Sequence, residues 1–215
     1  GYEGDYIVME NGVDVPRGRV SDEAIAAATG GYDLPKNVPV FLFVGRLMWY
    51  KGIRIILDAL KTLREKNVDF RMVFVGEGAD GAEIRSYAEE LKLSDRCFFT
   101  GAISDREVIR AWYGRADLFL FPSTFDTNGL VVREAAASGT ATVMIRNSCA
   151  SEGVSDGRNG FCIEENAAAM AAKLEELCRA PEMMRTVGEN AQRELYVSWE
   201  TAVQRAMARY EVVID

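Results

Sequence analysis

From Val40 onward the chain alternates short, wholly apolar runs with longer segments whose apolar residues recur at helical spacing. Val40–Val44, Phe70–Val75, Cys97–Phe99, Leu118–Phe121, Ala141–Ile145 and Phe161–Ile163 are predicted strands. Ile53–Arg64 carries apolar residues at 53, 56, 57, 60 and 63, and Ala82–Leu91, Asp105–Tyr113 and Leu130–Ser138 also read as helices. The runs are apolar at every position rather than alternating, so helices should cover both sheet faces. Strand–helix alternation at this spacing implies right-handed βαβ units, hence an α/β fold with a doubly wound parallel sheet. Such sheets bind ligands at the carboxyl ends of their strands, where the strand order reverses. Gly45, Gly76, Gly101 and residues 122–129 belong to that edge.

The flanks differ. Residues 1–37 are rich in Gly, Asp and Pro and are expected to be irregular, with a short apolar run Tyr6–Met9, a turn signal Asn11-Gly12 and an alanine-heavy helical piece Ala24–Ala28. The tail, about 167–211, reads as helical, with breaks at Pro181 and Trp199. There is no internal repeat and no low-complexity tract.

The 215 residues suffice for one large domain with a substantial core, and 48% apolar with 27% charged residues is ordinary for a globular protein. No apolar run approaches the roughly 20 residues of a membrane span, and no basic stretch followed by an apolar one is visible at the start of the sequence. The net charge of −8 opposes broad nucleic-acid or anionic-membrane binding, so any anion must be held by local Lys or Arg. Histidine is absent, which removes His-based triads, His general bases and the usual zinc sites. Cys97, Cys149, Cys162 and Cys178 contain no C-x-x-C pair, and free thiols of a cytosolic protein are expected.

The candidate chemistry concentrates in Ser123–Gly139. Asp126 lies on a loop, Gly129 stands where a helix should begin, and Glu134 lies inside that helix. A helix start offers unpaired N–H groups and the positive end of the dipole, which suits phosphate. Two carboxylates beside it can accept hydrogen bonds from vicinal hydroxyls, so the combination fits a sugar nucleotide. Gly45-Arg46 to Lys51-Gly52 follows the first strong strand, and Arg46 and Lys51 could neutralise a diphosphate. Taken singly, each element has a bland reading: Gly45–Gly52 a surface turn, Gly76-Glu77-Gly78 a tight turn, Asp126 a helix cap, Glu134 a solvated helix residue. The glycines lack the G-x-G-x-x-G order after the first strand, which argues against a nicotinamide-dependent dehydrogenase.

The order Asn11-Gly12-Val13-Asp14, Phe43–Arg46 with Lys51-Gly52, Val75–Gly78, Phe99–Gly101, Phe121–Ser123, and Asp126-x₇-Glu134-Ala135 with Gly139-Thr140 resembles the C-terminal, nucleotide-sugar-binding domain of retaining GT-B glycosyltransferases (glycosyltransferase family 4, or group 1). The resemblance runs from about residue 6 to the end. It implies a Rossmann-like half-domain, 1–215, that binds a nucleoside diphosphate sugar and, within a whole enzyme, transfers the sugar to an acceptor hydroxyl. By the resemblance, Arg46 and Lys51 clamp the diphosphate, Asp126 reaches hydroxyls of the sugar and Glu134 holds the ribose. Backbone N–H groups at Asn128, Gly129 and Leu130 face the phosphates, Gly45 and Gly76 lie against the ligand, and Ile103 lines the base pocket. No metal or other cofactor is implied.

Asp126 stands where the motif usually has Glu, one methylene longer, and Ala141 where Pro is common. These departures bear on the sugar more than on the fold. The resemblance also implies an N-terminal acceptor domain that this chain lacks, and Gly1 fits a piece of a longer protein. Such a piece is expected to bind nucleotide without transferring sugar. The helical tail should leave an apolar patch that meets the missing domain or pairs with another copy. A cytoplasmic location is expected, with a peripheral place at the inner membrane face open to the full-length protein. The alternative reading is a non-catalytic nucleotide-sugar sensor or interaction module.

Overall fold

The computed structural model describes residues 11–126 and 129–214. The apolar run Tyr6–Met9 and the site residue Asn128 fall outside the described residues. Six strands form one parallel sheet: β1 (Val40–Val44), β2 (Arg71–Val75), β3 (Cys97–Gly101), β4 (Leu118–Phe121), β5 (Ala141–Ile145) and β6 (Phe161–Ile163). Their order is β3-β2-β1-β4-β5-β6. The order therefore reverses between β1 and β4, which is the predicted binding edge. β1, β4, β5 and β6 are buried along their whole length, as their unbroken apolar runs require.

Helices cover both faces. After β1 comes a single 3₁₀ turn, Trp49–Lys51, and then α2 (Ile53–Glu65), which packs beside α3 (Gly81–Glu90) and α6 (Ala167–Cys178). On the other side α4 (Arg106–Arg115) lies between α1 (Asp22–Thr29) and α5 (Leu130–Ala137), and α5 lies against α7 (Pro181–Glu194). The chain closes with α8 (Trp199–Ile214). The two tail breaks fall at Pro181 and Trp199, as expected.

Several expected boundaries need correction, and the reasons are local. The helical piece expected at Ala24–Ala28 is α1, which runs longer, Asp22–Thr29. Ser21 caps it by accepting from the Ala24 amide at 3.2 Å, and Asp22 and Glu23 sit in its first turn, favourable against the dipole. Asp105 is not the first residue of α4 but its cap, taking the amides of Glu107 and Val108. β2 begins at Arg71 rather than Phe70, and β3 runs on to Gly101, where Gly76 donates to the Gly101 carbonyl at 2.9 Å. Leu91 and Ser138 are the C-terminal caps of α3 and α5 rather than helix residues.

All four cysteines are free thiols. Cys97 and Cys162 are buried, Cys149 is exposed, and burial pushes the Cys178 thiol up to about 11. Among the described residues no helix is long and apolar enough to cross a membrane.

Candidate functional site

The loops that leave β1, β2 and β3 are fastened to one another at the carboxyl edge of the sheet. The Gly45 amide donates to the Val75 carbonyl (3.0 Å) and the Leu47 amide to the Glu77 carbonyl (3.0 Å). At Gly76 the backbone has φ +136°, and a Cβ there would lie 2.0 Å from the Gly45 carbonyl oxygen. Only glycine at position 76 allows these two loops to touch. Past Gly45 the Trp49 amide donates to Asp80 Oδ2 (2.8 Å), and the Arg54 guanidinium lies against both the Trp49 and Tyr87 rings, 4.4 and 4.6 Å from their centres. These contacts hold the 3₁₀ turn that ends in Lys51.

Gly52 then brings that turn against the loop after β4. Its φ is +77°, and a Cβ would lie 2.3 Å from the Pro122 carbonyl oxygen. The close approach places the Lys51 ammonium 2.5 Å from Asp126 Oδ1, across the point where the strand order reverses. Lys51 is only 9% exposed. Among the described residues Asp126 Oδ2 is buried without a hydrogen-bond partner, and so is the hydroxyl of Ser123 on the same loop. A buried acceptor left open costs free energy, on the order of 1–3 kcal/mol, so both atoms are poised to take a polar group.

The loop enters α5 through Gly129, its N-cap, and no acid occupies the first turn of the helix. Leu130 is exposed at that end. One turn further, Glu134 is half-buried, and its Oε2 accepts from the Tyr113 hydroxyl at 3.2 Å. Burial raises the Glu134 carboxyl above its ordinary value, and the Tyr113 hydrogen bond and the charge of Arg106 pull partly the other way. Tyr113 is itself pushed well above a free phenol, first by burial and then by the charge of Glu134.

The geometry thus brings Lys51 to Asp126, and Gly45 to Gly76. Arg46 is exposed beside Gly45 and, among the described residues, makes no ion pair. Ile103 packs against the core just past β3. Two polar residues of the neighbourhood escaped the sequence reading. In the sequence Ser123 closes the Phe121–Ser123 motif and Tyr113 ends a predicted helix, and neither position points to a role. Neither carries a periodic signal, since the position of each depends on tertiary contacts. Among the described residues no three His, Cys, Asp or Glu side chains gather as a metal site would require.

The family model described as glycosyl transferases group 1 matches residues 28–194. The chain belongs to the group 1 glycosyltransferases. A relative in Mycobacterium tuberculosis, a GDP-mannose-dependent alpha-(1-6)-phosphatidylinositol dimannoside mannosyltransferase, is 31% identical over 164 residues, which is 76% of this chain and 42% of that protein. The group 1 chain thus spans about half the length of the curated relatives it matches. Among solved structures, a glycosyltransferase from Rickettsia africae superposes with a TM-score of 0.81 at 23% identity, covering 97% of this chain and 57% of that one. Anabaena HepE in complex with UDP and glucose superposes with a TM-score of 0.77, also at 23% identity, over 90% of this chain and 53% of that one. At such identities the likeness establishes the Rossmann-like fold that the group 1 domain shares with them.

Proposed function

We propose that this chain is the donor-binding half of a retaining glycosyltransferase that moves a sugar from a nucleoside diphosphate sugar to an acceptor hydroxyl. The observation that carries the reading is the Lys51–Asp126 contact at the reversal of strand order, ahead of the α5 N-terminus. It puts a cation, a carboxylate with one open oxygen and a helix start on neighbouring loops. A diphosphate, a sugar and a ribose need groups of those kinds.

In this reading the donor diphosphate draws Lys51 away from Asp126 and is shared with Arg46 and the N–H groups at Asn128, Gly129 and Leu130. Asp126 then turns to hydroxyls of the sugar, Glu134 takes the ribose hydroxyls, Gly45 and Gly76 let the backbone come close, and Ile103 borders the base. As the bond from the sugar's anomeric carbon to the diphosphate oxygen breaks, negative charge grows on the leaving group and the sugar becomes oxocarbenium-like. Arg46, Lys51 and the helix end stabilise that charge, with no metal assigned a part. The names of the relatives support a nucleotide-sugar donor, since one is GDP-mannose-dependent and another structure holds UDP and glucose.

An acceptor-binding domain outside this chain completes the cleft, and the exposed stripe Trp199, Val203, Met207 and Tyr210 on α8 is a contact surface for it or for another copy. The cytoplasm, or the inner face of a membrane, is the assigned place of action.

Thermal-shift titration with UDP, GDP, ADP and their sugars tests the reading. One of them should raise the unfolding midpoint by mass action, and Lys51→Ala and Glu134→Ala should abolish the rise. An unchanged rise in both variants would reject the assigned roles, and sugar transfer by this chain alone would reject its reading as a donor half.

A further inference from the structure

We infer that Tyr113 is a positioning residue for ribose recognition: its buried hydroxyl occupies one oxygen of Glu134 and thereby aims the other at a vicinal diol. The inference rests on the reading of Glu134 as the ribose ligand, and it adds a residue from a different helix to that site.

Tyr113 is 1% exposed at the last turn of α4. Its ring is packed in the core, and the backbone that carries it is tied down separately. It packs edge-on against Phe119 of β4, centres 5.4 Å apart, and its own backbone carbonyl accepts from the Thr140 hydroxyl at 2.7 Å. Burial of the ring and anchoring of its backbone together confine the phenol oxygen. There, among the described residues, its hydrogen-bond partner is Glu134 Oε2, and Glu134 Oε1 has none.

A glutamate side chain has three rotatable bonds, and a half-buried one without a fixed partner would sample several orientations. Tyr113 removes that freedom before any ligand arrives, which is the preorganisation that makes a polar contact count. A phenol is suited to the task, because it donates to a carboxylate from within an apolar core and has no charge of its own to bury. Tyr113 does not touch the ligand; it acts through Glu134.

The experiment takes whichever of UDP, GDP and ADP binds and compares its affinity with that of its 2′-deoxy form, by calorimetry on wild type, Tyr113→Phe, Glu134→Gln and the double variant. Tyr113→Phe keeps the ring and removes only the hydroxyl. The wild type should prefer the ribonucleotide, Glu134→Gln should abolish the preference, and Tyr113→Phe should reduce it by about tenfold, the loss expected for a misaligned charged hydrogen bond. In the double variant Tyr113→Phe should add nothing to Glu134→Gln, because the two changes interrupt one interaction. A purely structural role would weaken ribo- and deoxyribonucleotide alike and leave their ratio unchanged.

An intact ratio in Tyr113→Phe, together with its loss in Glu134→Gln, overturns the inference while the ribose role of Glu134 stands. No preference in the wild type overturns both. Should Tyr113→Phe fail to fold, refolding of the double variant supports the pairing, since it carries no buried carboxylate in need of a donor; failure of both overturns it.

Discussion

Lys51 and Asp126 are 75 residues apart in the chain and 2.5 Å apart in space. The pair ties the β1–α2 connection to the β4–α5 connection, and each partner lies largely out of water, with side chains 11% and 25% exposed. The cation proposed for phosphate thus meets the acid proposed for sugar, and each keeps the other from being a stranded charge.

Removing one member of this pair should cost more than removing both. Lys51→Met or Asp126→Asn leaves a partly buried charge alone, and we expect either to lower stability by about 2–3 kcal/mol. The double variant should lie within about 1 kcal/mol of wild type, because no uncompensated charge remains. Urea titration of the four proteins measures the difference.

Gly52→Ala tests whether backbone contact, rather than the ion pair, sets the approach of the two loops. The new methyl would meet the Pro122 carbonyl oxygen and the residue would be held at φ +77°. The combined strain should lower stability by about 3 kcal/mol. The nucleotide-induced rise in midpoint should also shrink, although residue 52 contributes no side chain to the ligand. A rise equal to that of wild type would mean that the loops reach each other without the glycine.

Glu134 should show a trade between stability and binding that depends on pH. Burial raises its carboxyl above the ordinary value of 4.5, so the folded state holds this proton more tightly than the unfolded chain does. The group therefore favours folding at low pH, and that contribution fades as the pH rises through the folded-state value. Glu134→Gln should leave the thermal midpoint unchanged in acid and raise it at neutral pH. Nucleotide affinity of the wild type should move the other way, falling as the pH drops and the carboxylate protonates. Midpoints and calorimetric affinities across the acid range check both slopes.

Much of this architecture was legible in the chain. Val40–Val44, Leu118–Phe121, Ala141–Ile145 and Phe161–Ile163 are strands with the expected bounds, because a strand covered on both faces leaves an unbroken apolar run. Helix ends are less legible, since Asp105, Leu91 and Ser138 are caps whose roles depend on which amide or carbonyl they meet. Short motifs carry Lys51 and Asp126 in the sequence, whereas their contact depends on the fold, and α1 is visible there only through its alanines. Tyr113 could not be named. An aromatic at the end of an amphipathic helix reads as core, and only the packing of α4 beside α5 turns its hydroxyl towards Glu134.

The seam between β1 and β4 is thin: Phe41 pairs with Leu118 and Leu42 with Phe119, whereas β1 and β2 are matched at five positions from Val40 to Val44. The strand order therefore reverses where the sheet is most weakly laddered. A molecule spanning from Lys51 to α5 would act there as a rivet between the two wings of the sheet, lending the protein rigidity at the place where its own backbone supplies least.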